Sequence, residues 1–272
     1  MLLLTTRLLA FKQRSGLGLK KASAAALALT ALSGCSAIGM SSFSTGQNPF
    51  ATPLRILTSK DFTRPVKWGA TGAPARAECA AGSKVVAGGS ASSDGSFVGT
   101  GFADGTTAWV VPATPKAKAE AFASCVSVAA VGSLFTFVSA KPISGLAVAQ
   151  CGSGFMLITG YGRGGAITAS WFEPTSYWVR GGAMAYASCV KSDAGVSVKH
   201  AWNRSQHPKT VYAGCGGGNA VIAGSMGNRE WPGPPIQSRP GVASSPGAPG
   251  YDGWWTFSNA ANELTWAACV KI

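Results

Sequence analysis

Charge is scarce in this chain. Only 12% of its 272 residues are Asp, Glu, Lys or Arg, just 10 are acidic, and there are two histidines. Long amphipathic helices draw on Glu, Lys, Leu and Arg, so this composition speaks against a helical protein. No Cys-x-x-Cys pair occurs, whereas zinc sites want close ligand pairs, so no metal is expected. The basic residues fall singly. A nucleic-acid interface would cluster them, so no nucleic-acid partner is expected. There is no Gly-x-Ser-x-Gly nucleophile elbow. Glycoside hydrolysis needs two carboxylates held about 5–9 Å apart, and no two acids share a repeat-equivalent motif. A phosphate-binding reading of the Gly-rich turns would need a helix to follow them. An enzyme and a cofactor are therefore not expected.

What the chain has is glycine, 36 of them, with nine tryptophans and a strand-forming background of Val, Thr and Ser. It also repeats. Cys79-Ala-Ala-Gly82, Cys151-Gly-Ser-Gly154 and Cys215-Gly-Gly-Gly218 open three segments. Phe122-Ala-Ser-Cys125-Val126, Tyr186-Ala-Ser-Cys189-Val190 and Trp266-Ala-Ala-Cys269-Val270 close them. Identical offsets indicate one supersecondary unit used three times. Each opening cysteine is followed by a turn glycine, then an apolar pair (Val85-Val86, Leu157-Ile158, Val221-Ile222), then a second glycine (Gly88, Gly160, Gly224). This order predicts a turn, a buried strand, and a bulge or close backbone approach. A second strand is expected over Ser96–Thr100, Ala166–Ser170 and Gly241–Ser244, and a third opening at Trp109, Trp178 and Trp255. Alternation in the closing strand puts Phe122, Ser124 and Val126 on one face and Cys125 on the other. Trp231 to Gly253 is Pro/Gly-rich and predicts a surface loop.

The cysteine-bounded lengths are 46, 38 and 54 residues. Six cysteines in an exported chain predict a disulfide framework. Threefold repetition leaves two natural pairings. Either each unit closes on itself (Cys79–Cys125, Cys151–Cys189, Cys215–Cys269), or bridges span the connections (Cys125–Cys151, Cys189–Cys215, Cys79–Cys269). The first is favoured, because the internal lengths vary while the flanking motifs do not.

The seventh cysteine, Cys35, belongs to an address. Arg7, Lys12, Arg14, Lys20 and Lys21 form a basic stretch without acids. The apolar run Ala22 to Leu32 follows, too short to span a bilayer. It ends at Leu32-Ser33-Gly34-Cys35, which resembles a bacterial lipobox. The resemblance implies a signal peptide over 1–35 and a lipidated Cys35 that anchors the protein in a membrane. An ordinary secretory signal cut after Ala37 is the alternative. By the same resemblance, Ser36 after the cysteine implies the outer membrane of the cell envelope. Loss of the five positives takes the net charge from +13 to +8. Residues 36–53 are expected to be a Ser/Gly/Pro tether, and 54–272 a single folded domain of units spanning about 54–128, 129–190 and 191–272.

The motif Cys-x-x-Gly-x-x-Val-Val-x-Gly, then Val-x-Ser-x-Pro, Gly-Trp and Tyr-Ala-x-Cys resembles a repeat of uncharacterised exported bacterial proteins. Unit one departs from it, with Thr100-Gly101-Phe102 in place of the Ser/Pro element. More distantly, the tripled pattern resembles the vitelline membrane outer layer proteins. That likeness implies a β-prism and, loosely, a glycan-associated role. The expected fold is all-β, a pseudo-threefold β-prism-like domain of three cysteine-clamped repeats, with a β-trefoil as alternative.

For function, Trp171, Trp202, Trp231 and Trp254 are the ligand-binding candidates, because they sit in or beside variable loops and exposed aromatic faces suit sugar rings. His200 and His207 have no counterparts in the other ribbons and read as surface residues. The expected protein is a noncatalytic binding module for a glycan or an anionic envelope polymer. A structural or protein-interaction lipoprotein with a protein partner is the alternative.

Overall fold

A computed structural model describes residues 55–94, 101–203, 209–227, 237–241, 250–258 and 263–272. The protein is all-β: nineteen strands and one short α-helix, α1 (Val128–Val131), occupy the described residues. None of the described helices is long and apolar enough to cross a membrane.

After a short β1 (Phe62–Thr63), the strands fall into three sets of six. The first unit is β2 (Val66–Thr71), β3 (Ala75–Glu78), β4 (Ser83–Ser92), β5 (Phe102–Asp104), β6 (Ala108–Val111) and β7 (Lys118–Ser127). The second is β8 (Phe135–Ala140), β9 (Leu146–Gln150), β10 (Phe155–Arg163), β11 (Ala169–Glu173), β12 (Ser176–Arg180) and β13 (Met184–Lys191). The third is β14 (Ser197–Asn203), β15 (Lys209–Gly214), β16 (Asn219–Gly227), β17 (Gln237–Gly241), β18 (Gly253–Ser258) and β19 (Glu263–Lys271). Every unit pairs its strands alike. The last strand is flanked by the first and third (β2-β7-β4, β8-β13-β10, β14-β19-β16), and the fifth by the second and fourth (β3-β6-β5, β9-β12-β11, β15-β18-β17). All of these pairings are antiparallel.

The apolar pair after each opening cysteine now has a physical meaning. The ladder register skips one residue in each unit, between Val85 and Ala87, Leu157 and Thr159, Val221 and Ala223. A bulge lets neighbouring side chains leave the strict alternation. Val85, Leu157 and Val221 therefore enter the core of their own unit. Val86, Ile158 and Ile222 instead meet in a shared central core, with Leu57, Phe62, Val126, Val190 and Val270. Each of the three bulged side chains is at most 1% exposed, worth roughly 1.5–3 kcal/mol of burial apiece.

The cores of the first two units are built largely of alanine. Ala75, Ala77, Ala119, Ala121 and Ala123 line the first, and Ala147, Ala149, Ala183, Ala185 and Ala187 the second. Small side chains let the paired sheets approach closely, and one large ring fills what remains. That ring lies on the second repeat glycine: Trp109 on Gly88, Tyr177 on Gly160, Trp254 on Gly224. A Cβ at any of these glycines would overlap the ring. The equivalent ring positions are thus Trp109, Tyr177 and Trp254, each opposite an alanine two residues before the opening cysteine (Ala77, Ala149, Ala213). The expected alignment of Trp109 with Trp178 and Trp255 is off by one residue in units two and three. A slip of one reverses the face of every side chain in a strand. In unit two the second strand is shifted too, with β11 starting at Ala169 rather than Ala166. Residues 95–100 and 242–249 lie outside the described residues.

The closing aromatics tie the units into a ring. Phe122 of the first unit packs in the core of the third, Trp266 of the third in the core of the second, and Tyr186 of the second against the core of the first. Each unit is completed by a neighbour's side chain. Every disulfide closes one unit: Cys79–Cys125, Cys151–Cys189 and Cys215–Cys269, with Cα separations of 5.7, 5.8 and 5.6 Å. Three disulfides mark a chain exported to an oxidising compartment.

Gly160→Ala is expected to lower stability by about 3 kcal/mol, because the added methyl must displace the buried Tyr177 ring. Gly152→Ala, where a Cβ meets nothing within 4 Å, is the control and stays within about 0.5 kcal/mol of the parent in urea denaturation.

Candidate functional site

Three junctions join the units, and in each the fourth strand of one unit faces the first-strand sheet of the next. The position after the ring-facing residue on the fifth strand is Val110, Trp178 or Trp255. Opposite it on the fourth strand stand Phe102, Trp171 and Arg239. This single position is treated differently at every junction.

Between units one and two, the Arg163 guanidinium lies 4.3 Å above the Phe102 ring, and Tyr161 stacks on Tyr186 at 4.9 Å. The junction is filled. Between units three and one, Arg239 Nη1 donates to Glu120 Oε2 at 2.7 Å, both side chains largely buried. Burial raises the Glu120 carboxyl above its usual range, and the Arg239 charge only partly offsets this. Ser238 of β17 also pairs with Ser90 of β4, closing the backbone gap. Tyr251 completes the plug, with the Arg64 guanidinium 4.6 Å from its ring and Phe122 at 6.3 Å.

Between units two and three the same place is an open cleft of about 880 Å³. One wall comes from β11 and the turn after it, Trp171 to Thr175, and from Phe155 to Leu157 of β10. The other comes from Val198, His200 and Trp202, which alternate along β14, with Leu264 and Trp266 of β19. The cleft stays open for local reasons. Unit two connects β11 to β12 with only Pro174 and Thr175, whereas eleven residues separate β17 from β18 in unit three, Tyr251 among them. Gly227 ends β16 beside Trp171, and a side chain there would press on the Trp171 backbone.

The lining is aromatic and ordered. Trp171 stacks on Trp178 (5.4 Å between centroids, 14° between planes), and Trp178 Nε1 donates to Ser176 Oγ at 2.9 Å. Phe172 lies parallel to His200 at 5.5 Å and packs on Trp266. Trp266 is buried, and its Nε1 donates to the Ile158 carbonyl at 3.0 Å. Trp202 presents its ring to solvent, 60% exposed. Polar groups are few: Glu173, Thr175, Ser192 and His200. Partial burial holds the His200 imidazole below its ordinary pKa, so it is neutral at physiological pH. The site offers flat rings, a few hydroxyls, a neutral imidazole and the Glu173 carboxylate.

Two of the four sequence-derived candidates, Trp171 and Trp202, come together here although they belong to different units. Trp254 does not belong with them. It is fully buried on Gly224, and its Nε1 donates to Ser238 Oγ at 2.8 Å. It is the repeat's core ring, mistaken for a loop residue through the register slip. Trp231, His207 and Cys35 lie outside the described residues. The sequence reading missed Phe172 and set His200 aside as a surface residue. The signal for both was the broken repetition: alanine and proline replace Phe172 in the other units, and Val66 and Ser139 replace His200. Among the described residues no cluster of three or more His, Cys, Asp or Glu is placed to hold a metal.

Trp202→Ala is expected to leave the thermal unfolding free energy within about 0.5 kcal/mol of the parent, whereas Trp266→Ala loses about 3–5 kcal/mol. Arg239→Ala strands the buried Glu120 carboxylate and costs about 3 kcal/mol at pH 7. Adding Glu120→Gln to that variant recovers most of the loss in the same melting experiment. Neither protein-family models nor curated protein sequences returned a match to this chain.

Proposed function

We propose that this protein is a noncatalytic glycan-binding module of the bacterial envelope, held at the outer membrane through a lipidated Cys35. The cleft between the second and third units carries this reading. It is the junction where repetition is broken in favour of solvent-accessible aromatic rings. Its volume falls in the range of about 300–1,000 Å³ usual for ligand sites. A mostly apolar lining that includes the exposed Trp202 indole suits sugar rings, which stack their C–H faces on aromatics and turn their hydroxyls to polar neighbours. The described lining supplies one carboxylate, Glu173, where glycoside hydrolysis uses two.

The second reading, a protein-interaction lipoprotein, is favoured by one feature. Val66 and Trp68 stand 48% and 44% exposed on β2, a strand that pairs with β7 on one side. Exposed apolar residues on such a strand suit a protein partner.

A glycan array separates the two. Saturable binding that falls at least tenfold in Trp171→Ala and Trp202→Ala is the expected result. A blank array with a co-purifying membrane protein would establish the second reading instead. Mass spectrometry of the mature N-terminus is expected to show acyl chains on Cys35, and an unmodified N-terminus at Ile38 would remove the anchor.

A further inference from the structure

We propose that the end of the domain opposite the chain's entry is a basic crown that docks an acidic polysaccharide, on a surface separate from the aromatic cleft. The orientation of this surface rests on the reading that Cys35 is lipidated; its charge does not.

The strands define the two ends. Val86, Ile158 and Ile222 meet in the shared core. Two residues further along, Gly88, Gly160 and Gly224 line one small chamber together. Equivalent residues thus meet at two successive levels, so β4, β10 and β16 run along the pseudo-threefold axis. At one end, the foot, the carbonyls of Gly82, Gly154 and Gly218 accept from the amides of Val128, Ser192 and Ile272. The chain enters the fold there. The Leu57 amide donates to the Ala194 carbonyl at 2.9 Å, and Thr58 bridges to Lys271. From foot to crown β4 runs ten residues, about 30 Å. A lipidated Cys35 leads into the foot and puts the crown on the side away from the anchor.

Charge divides unequally between these ends. Asp61, Glu78, Asp104, Glu173, Asp193 and Asp252 lie toward the foot, on the entry segment, at strand ends or in the turns that bond to the opening cysteines. Cations there are already matched: Arg55 binds Asp61, and Arg76 binds Glu78 and Asp104. At the crown Lys116, Lys118, Lys141, Arg163 and Arg180 are all exposed. Lys118 opens β7, Lys141 follows β8, and Arg163 and Arg180 end β10 and β12. Of the acids whose side chains are described, Asp94 alone is exposed at this end, and Glu120 is taken by Arg239. None of the five cations forms an ion pair with a described acid. They stand singly in the sequence and are gathered only by the fold.

The arrangement selects the partner. Five positive charges spread over the ends of two units make no pocket for a small anion. They suit an extended polyanion that meets several of them at once. Arg163 lies 4.3 Å above the Phe102 ring and Arg180 lies 5.7 Å from the Trp171 ring, so two guanidinium groups are held in place before a ligand arrives. An exported, disulfide-bonded chain meets acidic polysaccharides and anionic lipid rather than nucleic acid. Position decides between those two. The anchoring bilayer lies toward the foot, which leaves the crown to a polymer beyond it.

The test uses the mature chain made as Cys35→Ser behind an ordinary secretory signal, which keeps the disulfides and adds no acyl chain. It is titrated by calorimetry with polygalacturonate, an acidic polysaccharide, with neutral dextran, and with phosphatidylglycerol vesicles. Polygalacturonate is expected to bind, and counterion release to lower its affinity about tenfold or more from about 50 to about 200 mM salt. Dextran is expected not to bind. Reversing the crown with Lys116→Glu, Lys118→Glu and Lys141→Glu together is expected to weaken polygalacturonate binding about tenfold, with an unchanged melting point. The same change of net charge at the foot, Lys60→Glu, Lys191→Glu and Lys271→Glu, lies beyond the screening length and is expected to stay within about twofold. An equal loss at the foot, or no loss at the crown, overturns the assignment of the surface. Vesicle binding that the crown variant abolishes, without polygalacturonate binding, overturns the polysaccharide and makes the partner a bilayer. No binding of any probe overturns the crown and leaves the cleft and anchor readings standing.

Discussion

The structure depends on a bulge repeated three times. Without the extra residue at Val86, Ile158 and Ile222, the closing and third strands of each unit would pair in simple alternation. Every second side chain would then face outward from the unit with nothing to cover it. The bulge splits each apolar pair between two destinations. One residue packs with the alanines inside the unit, and the other goes to the core that all three units share. No unit can bury that second residue alone. The shared core therefore exists only when the three are assembled, which binds the repeats into one cooperative domain rather than a string of modules.

The same dependence shows in the closing aromatics. Phe122, Tyr186 and Trp266 occupy one motif position, yet each packs against a neighbour's core and not its own. This fixes the order of the units around the ring. It also makes every junction a place where two units contribute different faces, so a change of one or two residues alters one junction and leaves the others intact. The cation–π contact at Phe102, the ion pair at Glu120 and the aromatic cleft at Trp171 are three outcomes of one geometry. The cleft arises where the filling is withheld: a two-residue turn in place of a long connection, and Gly227 where Ala91 and Arg163 stand in the other units.

The candidate site was partly visible in the residues. Trp171 and Trp202 stood out because they break the repeat, and exposed aromatic rings have few purely structural uses. Trp254 was misread for the same reason the ring register slipped. Two tryptophans stand side by side at 254 and 255, and nothing local says which of them faces the glycine. Only strand pairing decides that, since neighbouring positions differ in face but hardly in composition. His200 and Phe172 gave no warning singly. Their role comes from stacking on each other across a junction between units.

What the sequence by itself determined was the repetition and its chemistry. Cysteines, turn glycines, apolar pairs and closing aromatics at fixed offsets are local instructions, and local instructions survive triplication. They specified an all-β chain in three units and favoured a disulfide within each. Which side chains meet across the units was decided only in the tertiary structure. Those contacts depend on the strand register, on the bulge that redirects one residue in each unit, and on the length of two connections far apart in the chain. A cleft is the space left by such packing, and the dimensions of a space are not encoded at any one position.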